Sequence, residues 1–245
     1  MTKENFHLMP LDYQTQCIRI MSMAAFSENL GGEGLTHWVE KAPDNRRKRL
    51  VAKLAYEEFD HGHQIYKLLK DLNVDERVVN EIATGKAQNS NSIHTSLDTA
   101  DAIYGDTGEL WLDLALHCIL MDTAGRHIVS NFAESSYGPW AEASVDIAKD
   151  EVMHASFGKH ELQICLAEGI PADLLQERFT HWYARSLNFF GPPPGKSAKI
   201  LQHYGIKRKT NEDLRNEFVR EIEIYMEKIG LLHLMKLNTD SYPYD

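Results

Sequence analysis

With 245 residues, 43% of them hydrophobic and 25% charged, the chain is large enough to bury a sizeable core, and its composition excludes disorder, collagen-like repeats and a coiled-coil rod. Twenty-six basic against 36 acidic residues give a formal net charge of −10, a field that repels nucleic acid and anionic membrane. Cys17, Cys118 and Cys165 form no CxxC pair, no apolar run reaches the roughly 18 residues of a membrane span, and MTKENFHLMP lacks a signal pattern, so a cytoplasmic protein with neither membrane nor nucleic-acid partner is expected.

Proline cannot sit inside a helix without losing a hydrogen bond, and its copies at 10, 43, 139, 171, 192–194 and 243 leave long stretches free to be helical. Gln14, Ile18, Met21 and Ala25 share one face of a helix expected from Leu11 to Leu30, ending near Gly31-Gly32. From Asn45, the residues Leu50, Leu54, Glu58, His61, Ile65 and Leu68 form one stripe of a second helix. A polar loop is expected at Ala87–Ser96, then a third long helix from about Thr107 to Ser135 and a fourth from Trp140 to Glu168, stopped by Gly169 and Pro171. Ala172–Asn188 precedes the loop GPPPGKS, and a last helix runs from Asn211 to about Met235 with Thr210 or Asn211 as N-cap. No stretch alternates with period two, so the fold class is all-α. The expected organisation is a single domain over 1–245, with a bundle at about 11–170 and additional C-terminal helices at about 171–236.

Two polar positions stand on otherwise buried stripes. Glu-x-x-His occurs at Glu58/His61 and Glu151/His154, a spacing that puts both side chains on one helical face, as a metal ion requires of two ligands on one element. The motif alone is weak, and Glu4/His7 is a chance match. Spacing strengthens it. Glu28 lies thirty residues before Glu58, Asp122 lies twenty-nine before Glu151, and the offsets from half to half are 94 (28 to 122), 93 (58 to 151) and 93 (61 to 154). The midpoints, Pro43 and Ser136/Tyr137, fall in expected turns, so each antiparallel hairpin offers one carboxylate level with one Glu-His pair. Four carboxylates and two imidazoles are the ligand set of ferritin-like di-iron or di-manganese bundles, and a +4 metal pair balances four buried negative charges. Oxygen and imidazole donors with open positions suit iron or manganese, and dioxygen chemistry suits iron. The alternative is solvated helix faces with coincidental spacing.

SENLGGEG, RRKRLVAKLAYEEFDHGHQIY, SSYGPW, KDEVMH, FFGPPPGKSAK and GIKRKTNEDLRNEFV, in that order over about residues 12–232, resemble the catalytic component of the phenylacetyl-CoA epoxidase (phenylacetate-CoA oxygenase) family. The resemblance implies a ferritin-like four-helix bundle and a di-iron centre that activates dioxygen to epoxidise the aromatic ring of a CoA thioester. It places the ligands at Glu28, Glu58, His61, Asp122, Glu151 and His154, and cationic substrate-side positions at Arg19 and Lys53, with Arg46, Arg47 and Lys48 matching a helix-opening basic run. It further implies a ferritin-like structural partner, with a homodimer as the alternative. Two departures stand out. Met21, Met23, Ala24, Ala25 and Phe26 replace polar residues before the first glutamate, so a more apolar acyl pocket is expected, and the chain stops soon after its last helix, where the family's catalytic chains carry an extension.

Several neighbours compete for these roles. Glu57 is also a helical neighbour of His61, and only the half-to-half offset selects Glu58. His127 and Glu134 are rivals for the position of Asp122, His63 points away from the site, and Asp60 and Asp150 are either solvated or orient a histidine ligand. Arg46, Arg47, Lys48 and Arg49 stand at the positive end of a helix dipole, an unfavourable place that suggests CoA phosphates, against a plain solvated helix start. Trp182, Phe189 and Phe190 are read as packing. No Walker loop, GxGxxG or GxSxG is present, so electrons are expected from a separate reductase. The function expected is a di-iron monooxygenase acting on an acyl-CoA or aromatic substrate with dioxygen as co-substrate. A ferroxidase or iron-storage bundle and a non-catalytic scaffold are the alternatives.

Overall fold

The computed structural model describes residues 1–83, 108, 110–191 and 196–236. In chain order the helices are α1 (Leu11–Lys41), α2 (Asn45–Asp71), α3 (Glu76–Ala83), α4 (Trp111–Ser130), α5 (Gly138–Ala167), α6 (Ala172–Phe189), α7 (Lys196–His203) and α8 (Asn211–Lys228), with 3-10 turns at Phe6–Leu8 and Leu232–Met235. There is no strand among the described residues, and the chain is an all-α, ferritin-like fold built on long helical hairpins. The loop expected at Ala87–Ser96, the start of the third helix at Thr107 and the proline loop at 192–194 lie outside the described residues.

The elements follow from local chemistry at their ends. The Asp44 carboxylate accepts the Arg47 backbone N–H at 2.8 Å and starts α2 directly after Pro43. Thr210 caps α8 by accepting from the Asp213 backbone N–H at 3.0 Å, while the Asp213 side chain accepts the Thr210 N–H at 2.9 Å. Past the end of α5, Gly169 takes φ +83, a conformation that side chains with a Cβ resist.

Two helix ends differ from expectation. The first helix does not stop at Gly31-Gly32 but continues to Lys41, because both glycines are buried at the α1–α2 contact, where the lack of a side chain lets the helices close. The last helix ends at Lys228, where Gly230 at φ +75 reverses the chain before the 3-10 turn.

The residues form two compact units. The first draws on Met1–Thr107, Phe132–Val145 and Lys199–Arg208. In it α1 packs along α2 and against α3. Tyr13 stacks edge-on to Tyr204 (centroids 5.5 Å) and accepts a hydrogen bond at its hydroxyl from Ser136 Oγ at 3.2 Å. The second unit draws on Gly108–Asn131, Asp146–Ala198 and Lys209–Asp245. Its central element is α4, buried on most of its circumference and packed on α6 and α8, as suits a helix that is apolar nearly all round. The Asn131 side chain exchanges two hydrogen bonds with the Lys209 backbone (3.2 and 2.9 Å), which ends α4 and seats the approach to α8.

Candidate metal centre

Within the first unit, Glu28 on α1 reaches His61 on α2, with Nδ1 to Oε2 at 3.3 Å. Glu58, one turn before His61, is buried, and Glu28, Glu58 and His61 offer donor atoms that all lie within 4.8 Å of one another. Burial, opposed by the His61 hydrogen bond and reinforced by the Glu58 charge, pushes the Glu28 carboxyl up to about 7. Room for this cluster comes from Gly31. A Cβ there would stand 2.7 Å from Glu58 Oε2, so no other residue leaves the carboxylate in place. Gly62 performs the same service for Asn29, whose Oδ1 would meet a Cβ at 3.0 Å.

Within the second unit, Asp122 on α4 and Glu151 and His154 on α5 form a similar cluster, again with donors within 4.8 Å of one another. His154 Nδ1 lies 4.0 Å from both Asp122 Oδ2 and Glu151 Oε2, and all three residues are buried. The two hairpins close by different means. Gly31 admits a carboxylate between α1 and α2, whereas Gly158 brings the backbones of α4 and α5 together: a Cβ there would meet Ala115 O at 2.6 Å and Ile119 N at 2.8 Å. Gly125 lies beside Glu151, and a Cβ there would be in ordinary contact at 3.7 Å.

The competing residues are placed elsewhere. Glu57 is ion-paired with Lys53. His127 bonds Glu221 on α8 at 3.0 Å, Glu134 pairs with Arg208 at 2.9 Å on the surface, and His63 is exposed. Asp60 accepts from Gln64 at 2.8 Å, and Asp150 is half-buried.

The cationic positions do not converge. Arg46 and Lys48 are exposed at the start of α2, and Arg47 is ion-paired with Asp44. They stand about 15–18 Å along α2 from Glu58. Arg19 is half-buried on α1, nine residues on the far side of Glu28 from the hairpin turn, bonded to Gln16 at 3.3 Å, and burial lowers its pKa. One anion cannot touch both groups. Met21 and Ala25, on the apolar stretch before Glu28, are fully buried.

One residue that the spacing did not single out is His117, whose Nε2 lies 3.7 Å from Asp122 Oδ1. Five residues is not a same-face helical interval, so only the packing of α6 on α4 reveals it.

Residues 1–234 match the sequence pattern of the family described as phenylacetic acid catabolic protein. The chain belongs to that family. It is also 29% identical, over 230 residues, to the A component of the 1,2-phenylacetyl-CoA epoxidase of Escherichia coli (strain K12), an alignment spanning 91% of this chain and 70% of the relative. Among the described residues of this phenylacetic acid catabolic family member, no helix is long and apolar enough to cross a membrane.

The donor chemistry fits a pair of divalent metal ions. Within each unit the donors are two carboxylates and one imidazole, an oxygen-rich set with room for further ligands that suits iron or manganese. Packed together without a cation, such carboxylates would hold protons, as the raised Glu28 pKa expresses.

Proposed function

We propose that the chain is the oxygen-activating catalytic subunit of a di-iron monooxygenase, with Glu28, Glu58 and His61 binding one iron and Asp122, Glu151 and His154 the other. The observation that carries this reading is the pair of buried clusters, each with one carboxylate facing a Glu-x-x-His pair. Iron, when bound, supplies the reduction of dioxygen and the transfer of one oxygen atom to the substrate.

The chain's own residues do the rest. The six side chains fix the ligand geometry and neutralise +4 of metal charge. Burial raises the Glu28 carboxyl to about 7, and metal binding displaces the proton it carries below that pH. Met21 and Ala25, fully buried on α1 before Glu28, set apolar packing beside the site, which serves to keep water from the reacting carbon.

The substrate proposed is an acyl-CoA, aromatic by analogy with the substrate named for the Escherichia coli relative. Its phosphates belong at Arg46, Arg47 and Lys48 rather than at Arg19, because the basic run combines three cations at the open end of α2. Lys53, between that run and Glu58, lies along the path of the thioester arm. The relative is named as one component of a larger epoxidase, which supports further subunits here, a structural ferritin-like partner among them, and a separate reductase as electron source.

The test is to load the protein anaerobically with Fe(II), add hydrogen peroxide and a panel of aromatic and aliphatic CoA thioesters, and follow product mass. The expected result is gain of one oxygen atom on an aromatic thioester. No gain on any thioester, with two irons per chain bound, would defeat the oxygenase reading.

A further inference from the structure

His117 stands outside the six-residue ligand set yet faces one of its members. Asp122 presents its two oxygens to two different imidazoles: Oδ2 to His154 Nδ1 at 4.0 Å and Oδ1 to His117 Nε2 at 3.7 Å. The first belongs to the cluster that would hold metal. The second stands five residues before Asp122 on the same helix.

His117 is held there by a chain of fixed contacts. Its ring stands perpendicular to that of Trp182, with centroids 5.1 Å apart and planes at 89°. Trp182 is fully buried, and its indole N–H donates to Asp113 Oδ1 at 3.0 Å. Asp113, also buried, accepts from Arg178 Nε at 2.6 Å and from the Leu110 backbone N–H at 3.1 Å. Arg185 also packs on Trp182, its guanidinium 5.2 Å from the ring centroid. A histidine packed against an aromatic ring that is itself anchored to a buried, ion-paired aspartate has little rotational freedom left. Its remaining polar edge points at a carboxylate that must keep one orientation to bind metal.

We propose that His117 is a positioning residue for Asp122: its Nε2 steers Oδ1, so that Oδ2 is presented to the metal beside His154 and Glu151. At 3.7 Å the pair is just beyond direct hydrogen-bond reach, and a small rotation of the carboxylate would close it. Asp122 is where such help matters most, since its side chain is one carbon shorter than those of the other three carboxylates and has fewer ways to find the metal. The inference rests on the metal-centre reading above.

The experiment uses the full chain and Co(II), whose visible absorption reports coordination geometry. His117→Phe keeps the ring packed on Trp182 and removes the nitrogen, and His117→Gln restores a donor at similar reach. The expected result is about 10- to 100-fold weaker binding of one of the two Co(II) ions in H117F with an altered spectrum, recovery of most of that loss in H117Q, and no further loss when H117F is added to Asp122→Asn. H117F with wild-type affinity and spectrum overturns the inference while leaving the metal centre standing. A wild-type chain that takes up no metal overturns both. Should H117F fail to fold, H117Q and His117→Leu are compared in the same titration, and equal affinity in both would overturn the inference.

Discussion

Single atoms decide the candidate site. Gly31 is the clearest case: a methyl group there would press within 2.7 Å of a Glu58 oxygen, although alanine would otherwise favour the helix by up to about 1 kcal/mol over glycine. Gly31→Ala is therefore expected to turn the Glu58 carboxylate aside and lower the metal content of the purified protein, read by metal analysis, while urea unfolding of the metal-free chain changes by less than about 1 kcal/mol. Glu28 makes a second prediction. Its folded-state pKa of about 7 lies above the usual carboxylate value, so the metal-free fold keeps a proton there that the unfolded chain releases near 4.5. The stability associated with that proton is fully present below pH 4.5 and is lost as pH rises through about 7. Metal must displace the same proton, so calorimetry in buffers of differing ionisation enthalpy is expected to find a proton released on loading at about pH 6 that Glu28→Gln does not release.

Helices join to one another by two different devices. Where α5 crosses α4, Gly158 sits against backbone atoms that cannot move aside, so Gly158→Ala is expected to unfold or strongly destabilise the protein, by about 3 kcal/mol or more in a thermal melt. Between α4 and α8 the device is electrostatic. Glu221 accepts from His127 and pairs with Arg126, contacts that pull its carboxyl down to about 2. A depressed pKa stabilises above the ordinary carboxylate value and is lost as pH falls through about 2. Glu221→Gln is accordingly expected to melt lower than the parent at neutral pH and to converge with it near pH 2. Because Glu221 is partly exposed, the neutral-pH gap should be under about 1 kcal/mol.

Much at this scale was legible in the chain. The Thr210 cap, the stop at Gly169 and the pairing of each carboxylate with a Glu-x-x-His motif follow from spacing and local chemistry. The continuation of α1 through Gly31-Gly32 did not, because glycine reads as a helix breaker until the neighbouring helix that requires its absence of side chain is known. His117 escaped for a related reason: its link to Trp182 and Asp113 joins residues far apart in the chain, which no local period encodes.

At the scale of the whole molecule, the formal charge of −10 conceals a division of labour. Four acidic residues belong to the proposed ligand set, and two divalent ions (+4 added to −10) would bring the loaded protein nearer −6. The remaining acidity keeps the surface repellent to other polyanions and makes the basic opening of α2 a local exception, the place where a phosphate-bearing substrate meets attraction rather than repulsion.

The two clusters are not equally drawn together. Glu28 and His61 already stand 3.3 Å apart, whereas His154 stands 4.0 Å from both of its carboxylates. A metal ion would find the first set nearly in place and would have to gather the second. Loading should therefore quiet the breathing of α4 and α5 more than that of α1 and α2, and amide hydrogen exchange should slow most in the segments around Asp122 and Glu151.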